Sequence, residues 1–260
     1  MSCNLLFIKA ITLKINPVLF DKNKLICYHL NMKIFGLEKL SMVDYEGHLC
    51  CTVFTAGCNF RCPYCHNSDL VEGKNLHEIT EEDFFSFLQK RKGLLDAVCV
   101  SGGEPTLQPD LTDFIKKIKA LGYLVKLDSN GTAPKLLKEL VSQNLIDYVA
   151  MDIKNSRDSY RRTAGNGFFD IKKIEESVDF LKQGKVDYEF RTTLVKGHHT
   201  EKEIKEIALW LSGADKMYLQ CFVDSGSCIT NGLEKIEKAE AEHFKEILSQ
   251  TIKEVHLRGY

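Results

Sequence analysis

From His48 onward, short apolar runs alternate with amphipathic segments, and this alternation restricts the chain to repeated β/α units rather than a helical bundle or a sandwich. Candidate strands lie at 49–55, 96–101, 123–128, 146–152, 187–194 and 216–221. Helices are predicted near 80–91, 110–121, 134–143, 171–183 and 200–211. Three of their starts are marked by Thr80 before Glu81-Glu82-Asp83, by Pro109-Asp110 before Leu111, and by Thr200 before Glu201 and Glu203. A last helix is predicted over 233–251 and a terminal strand over 254–257. Six units are too few for a closed eight-stranded barrel but suffice for an α/β fold of the open, partial (β/α)6 barrel type with a parallel sheet. The 260 residues, 44% hydrophobic and 27% charged, suit one such domain.

In this architecture functional loops sit at the carboxyl ends of the strands. The polar and glycine-rich residues fall there: Gly57 to His66 after the first strand, Gly102-Gly103-Glu104-Pro105 after the second, Asp128-Ser129-Asn130-Gly131 after the third, Asp152-Ile153-Lys154 after the fourth, and Gln220-Cys221 after the sixth. The first of these loops carries Cys58, Cys62 and Cys65, spaced CxxxCxxC. Three thiolates at this spacing can hold a cubane iron–sulfur cluster by three of its irons, leaving the fourth open to bind and reduce a small molecule. A structural zinc site would instead need four closed ligands, normally in two separated pairs, and a triad followed at once by His66 in one short loop is poor geometry for it. A four-cysteine cluster would need a further ligand from Cys50, Cys51, Cys99, Cys221 or Cys228. The first three lie in strand-like apolar runs and read as small core residues, while Cys221 and Cys228 belong to the rim and are left outside the site. Between Cys65 and Gly102 the one further cysteine is Cys99, so one cluster is expected.

A formal net charge of -1 gives no electrostatic reason to expect nucleic acid or a membrane as partner. Ten cysteines in a long chain with a clustered triad point to a reducing, cytoplasmic setting rather than to a disulfide scaffold. Residues 1–31 hold apolar pieces such as Leu5-Leu6-Phe7-Ile8 broken by Lys9, Lys14, Lys22 and Lys24, which is neither a signal-peptide core nor a bilayer span. They are read as an N-terminal extension or a mis-called start, with 32–260 as the domain and Met32 as its working start.

The triad with an aromatic before its last cysteine resembles that of the radical S-adenosylmethionine (SAM) enzymes, and the likeness extends from residue 32 to residue 260. Within that superfamily the chain is most similar to the glycyl-radical-enzyme activating proteins, especially those of anaerobic ribonucleoside-triphosphate reductase. The likeness rests on Gly36-Leu37-Glu38-Lys39-Leu40-Ser41-Met42-Val43-Asp44-Tyr45-Glu46-Gly47, on Cys65-His66-Asn67, and on Val255-His256-Leu257-Arg258-Gly259-Tyr260. The resemblance implies a [4Fe-4S] cluster on Cys58, Cys62 and Cys65 whose open iron is chelated by S-adenosylmethionine. Reductive cleavage would then give a 5′-deoxyadenosyl radical that removes a hydrogen from a glycine of a partner enzyme, with flavodoxin or ferredoxin as electron donor. Gly102, Gly103 and Glu104 resemble the family's GGEP motif, which lines the methionine amino group. Asp128-Ser129-Asn130-Gly131 and Asp152-Ile153-Lys154 resemble its DTNG and DLK stretches. By that resemblance Asp128, Ser129 and Asp152 collect a monovalent cation, Lys154 and Arg191 face the cofactor, and Tyr64 sets the cluster loop against the adenine. The alternatives are a small-molecule radical enzyme resembling the deazaguanine synthases and a non-catalytic metal-binding module.

Overall fold

The computed structural model describes residues 32–165, 168–224 and 226–260, so the expectation for residues 1–31 lies outside the described residues. Strand β1 (Gly36–Ser41) runs antiparallel to β2 (Cys50–Thr55) at one edge of a single sheet. From β2 onward β3 (Ala97–Gly102), β4 (Leu124–Ser129), β5 (Tyr148–Asp152), β6 (Asp187–Leu194), β7 (Lys216–Cys221) and β8 (Glu254–Arg258) follow in spatial order, all parallel. Helices α1 (Ser68–Glu72) and α2 (Glu81–Lys90) connect β2 to β3; α3 (Leu111–Ala120) and α4 (Pro134–Ser142) make the next two crossovers. Then come α5 (Tyr160–Ala164) and α6 (Ile171–Leu181), α7 (Glu201–Trp210) and α8 (Lys238–Leu248). Six β/α units and a closing strand therefore form the expected open parallel architecture, with β1 added at its edge.

The side-chain period of two divides this sheet into faces of different chemistry. Cys51, Val53, Val98, Val100, Val125, Leu127, Val149, Met151, Phe190, Met217 and Leu219 share one face and are buried in one cluster with Phe84, Phe114, Leu140, Val178, Ile207 and Phe244 of the helices. Burial of each such side chain contributes roughly 1.5–3 kcal/mol before conformational entropy is charged. The register places Thr52, Cys99, Lys126 and Tyr148 in one row of the opposite face, with Asp128, Asp152, Glu189, Arg191 and Tyr218 at the same parity. That face is polar.

Two expected starts carry their caps: the Thr80 hydroxyl accepts the Asp83 N–H at 3.0 Å, and the Thr200 N–H donates to the Glu203 carboxylate at 3.1 Å. The last helix departs from expectation, beginning at Lys238 rather than 233. Residues before it are committed elsewhere, since Lys196 donates its N–H to the Glu234 carbonyl at 2.9 Å and Val195 bridges to Lys235.

Candidate active site

The loop after β2 is anchored through its backbone before any cysteine is considered. Gly103 donates its N–H to the Thr55 carbonyl and Glu104 to the Gly57 carbonyl, both at 2.8 Å, so the loop after β3 lies against the start of the cysteine loop. A Cβ on Gly103 would come within 2.0 Å of the Gly57 oxygen, and one on Gly102, whose φ is +121°, within 2.3 Å of Thr55 backbone atoms. The close approach permitted by these two glycines is thus to the chain itself. Farther along, Arg61 donates to the Ala164 carbonyl at 2.9 Å and Asn67 Nδ2 to the Gly102 carbonyl at 3.2 Å.

This scaffold turns Cys58, Cys62 and Cys65 toward one cavity of about 200 Å³. Its wall also includes Tyr64, Gly102, Gly103, Glu104, Asp128, Ser129, Asp152, Lys154 and Arg191, so every residue that the resemblance assigns to the cluster or the cofactor lines it. Burial pushes the Cys58 thiol up to about 11 and the Cys62 thiol to about 12, and raises Cys65 too. Ligation of iron would supply the positive charge that a buried thiolate otherwise lacks. The Phe60 N–H donates to Cys58 Sγ at 3.3 Å, a contact of the kind that tunes cluster sulfur ligands. No group of three or more His, Cys, Asp or Glu among the described residues is arranged to hold a single metal ion. Three thiols that each bind a different iron need not converge on one point, so the donor set suits a cubane cluster.

Opposite the cysteines lies a compact ion network. Arg191 Nε donates to Asp152 Oδ1 at 2.8 Å, its NH1 lies 3.2 Å from Asp128 Oδ2, and Lys154 Nζ donates to Asp152 Oδ2 at 2.9 Å. Burial opposes the Asp152 charge, but the Arg191 guanidinium and the Lys154 ammonium outweigh it and hold its pKa to about 2. Arg191 thus bridges Asp128 and Asp152, two of the three residues to which the resemblance assigns a monovalent cation. The third, Ser129, donates its hydroxyl to Glu104 Oε1 at 2.9 Å. Two polar atoms of the cavity wall, Asp128 Oδ1 and the Tyr64 hydroxyl, are buried without a hydrogen-bond partner. A zwitterionic ligand with several polar groups would find cations, carboxylates and open acceptors along this wall.

Glu104 lines the cavity and is also held by hydrogen bonds of its own. Only 1% exposed, it accepts from the Thr106 N–H (3.1 Å) and hydroxyl (2.5 Å), from Ser129 Oγ and from the Asn130 N–H (2.6 Å). Its side chain therefore staples the loop after β3 to the loop after β4, although burial still raises its pKa against these bonds.

Sequence reasoning left His66, His198 and His199 in surface or loop roles. His199 is instead buried, with Nδ1 accepting the Val195 N–H at 3.1 Å and Nε2 2.9 Å from the Lys154 carbonyl. His66 stacks on Phe222 at 5.7 Å, and the His198 ring meets the Tyr64 ring edge to face at 6.3 Å. Lys126 and Glu189, both 2% exposed, were missed as well. Their signal was parity: Lys126 stands two residues before Asp128, and Glu189 two before Arg191. Cys221 lines a separate cavity with Phe222 and Gly259, while Cys50, Cys51 and Cys99 are fully buried.

A family profile described as the Radical SAM superfamily matches residues 52–211. A Methanocaldococcus jannaschii protein provisionally named a glycyl-radical enzyme activating enzyme is 36% identical over 197 residues, covering 73% of this chain and 79% of that protein. The pyruvate formate-lyase-activating enzyme of Clostridium pasteurianum is 33% identical over 155 residues, covering 56% of this chain and 64% of its own. Among solved structures, a domain of a pyruvate-formate lyase-activating enzyme from Bacteroides vulgatus superimposes with a TM-score of 0.51 at 20% identity, covering 63% of this chain and 99% of that one. That likeness concerns the fold.

Proposed function

The chain belongs to the radical SAM superfamily, and from that membership we propose that it is an activase that generates a glycyl radical on a partner enzyme. Anaerobic ribonucleoside-triphosphate reductase is its first candidate partner. The observation that carries the reading is the meeting of three free thiols with the Asp152–Arg191–Lys154 network around one cavity at the carboxyl ends of the strands. Relatives named as glycyl-radical activators support it. The choice of the reductase rests on the likeness of segments 36–47 and 255–260 to activators of that enzyme. When bound, the cluster and S-adenosylmethionine supply one-electron cleavage of a carbon–sulfur bond and abstraction of hydrogen from a glycine Cα.

The residues of this chain bind and orient. Cys58, Cys62 and Cys65 hold the cluster. The backbone at Gly102 and Gly103 fixes the cysteine loop against the loop after β3, and Glu104 fixes the latter against β4. Lys154 would suit the carboxylate of the ligand, Asp128 its ammonium, and Tyr64 would pack beside its base. Arg191 is taken as the positive group between Asp128 and Asp152, in place of a metal cation. A flavodoxin or ferredoxin serves as donor, and the setting is cytoplasmic; no helix among the described residues is long and apolar enough to cross a membrane.

The deciding experiment uses anaerobically purified, cluster-loaded protein, reduced in the presence of S-adenosylmethionine with and without candidate partners. A glycine-centred doublet by electron paramagnetic resonance, appearing only with the reductase, is expected. A doublet with a different glycyl radical enzyme reassigns the partner. Absence of 5′-deoxyadenosine from a fully loaded sample overturns the radical reading altogether.

A further inference from the structure

Beside the candidate cavity, the polar face of the sheet carries buried charges that the proposed chemistry does not use. Lys126, on β4, sends its ammonium against the backbone carbonyl of Asp44, in the loop 42–49 that precedes β2. The same nitrogen lies 3.5 Å from Glu189 Oε1 and 4.0 Å from Asp128 Oδ1, with the Tyr148 ring centroid 5.4 Å away. Asp128 is held from its other side, where Ser101 Oγ donates to Oδ2 at 2.9 Å and Arg191 stands 3.2 Å away. One carboxylate of the cavity wall is thus placed between two cations. Arg191 leads on to Asp152, whereas Lys126 leads away to loop 42–49.

That loop is itself fixed at several points. Thr52 Oγ1 donates to Asp44 Oδ2 and the Tyr218 hydroxyl to Glu46 Oε2, each at 2.6 Å, and Tyr45 packs with Cys50 and Ala97. Lys126 reads the position of the loop through a main-chain oxygen, which any residue at 44 would present. An apolar residue in this place would cost less desolvation than a buried ammonium, and a buried ion pair is weak evidence of stabilisation. What the ammonium adds is direction: it holds Asp128 Oδ1, an oxygen without a hydrogen-bond partner, from one fixed side.

We propose that Lys126 is a positioning residue that sets the Asp128 carboxylate, and through it Arg191, according to where loop 42–49 lies. The inference rests on the reading that the cavity takes S-adenosylmethionine. Its prediction concerns affinity at one end of the network when the other end is cut. Coupling along such a network is typically modest, so Lys126→Met should weaken S-adenosylmethionine binding about tenfold.

The test measures the dissociation constant of S-adenosylmethionine by equilibrium dialysis on cluster-loaded protein, with iron and sulfide content and melting temperature recorded for each variant. Weakened binding in Lys126→Met at full cluster content, with Lys126→Arg close to the unsubstituted protein, supports the proposal. Unchanged affinity in Lys126→Met overturns it, even where the melting temperature falls, because the residue is then only structural. Should Lys126→Met not accumulate, Lys126→Met/Glu189→Gln removes both charges together. Weakened binding in that variant supports the proposal, and normal binding or failure of this variant to fold overturns it. If the unsubstituted, fully loaded protein does not bind S-adenosylmethionine, the reading of the cavity fails rather than the role of Lys126 alone.

Discussion

Cys62 is the most deeply enclosed of the three loop cysteines, 7% exposed and with Sγ 3.8 Å from the Ala164 carbonyl. Cys62→Ala is expected to abolish cluster assembly and the formation of 5′-deoxyadenosine, read as iron and sulfide per chain and by product chromatography. Cys99→Ala should keep the cluster and cost about 1 kcal/mol of stability, because Cys99 fills space beneath Asp44 on the polar face. Cluster retention in the first variant would contradict the ligand assignment. His199 carries a different kind of prediction. Burial, with a smaller contribution from His198, lowers its pKa from 6.5 to about 4 against the hydrogen bonds to Lys154 and Val195. The unfolded chain therefore binds a proton below 6.5 that the native protein refuses until about 4. Stability from this group is present above 6.5 and lost as pH falls toward 4, with a slope of up to about 1.4 kcal/mol per pH unit. Melting temperatures across that window should fall more steeply for the unsubstituted protein than for His199→Gln, and parallel curves would refute the burial of a neutral imidazole.

Gly103 belongs to the element scale, because what it permits is contact between two strand-end loops. A methyl there would overlap the Gly57 oxygen, and neither backbone can yield without moving the cysteine loop or the loop after β3. Gly103→Ala should load markedly less cluster than the unsubstituted protein while its far-ultraviolet circular dichroism stays native; full loading would show that the two loops can separate at little cost. The sequence made the helices and parallel strands legible because both periodicities were strong: β6 and β7 occupy the expected residues, and the other strands of the parallel run begin or end within two residues of them. β1 escaped notice because Glu38, Lys39 and Leu40 are exposed at a sheet edge, where only pairing with β2 defines the strand. The short α5 depends on distant partners, with Tyr160 buried against Phe60 and Phe169, and no local pattern announces such packing. Within the site, the cysteines and the strand-end polar residues were visible as motifs. The side-chain part of Glu104 was not, since its partners Ser129 and Asn130 come from the next β/α unit. Arg191 could have pointed to either face until the pairing of Asp152 with Arg191 placed both on the polar one.

For the whole molecule, a sheet with one apolar face against helices and one charged face toward the cavity needs its edges closed. At the β1 edge this begins at Met32, which is buried and donates its N–H to Glu81 Oε2 at 3.0 Å. Ile34 then bridges to Ile79, and Phe35 donates to the Phe54 carbonyl at 2.8 Å, so the three residues bind the start of α2 to the end of β2. The fold of 32–260 therefore has its own first stitch. In a shortened chain that begins at Met32, the α-amino group would face the Glu81 carboxylate, and a charge-assisted bond would replace a neutral one without a new buried charge being left alone. A chain beginning at Met32 is expected to have an unfolding free energy within about 1 kcal/mol of that of the full-length protein and to load the same iron and sulfide. A shortened chain that aggregates or binds no cluster would show that the upstream residues belong to the domain.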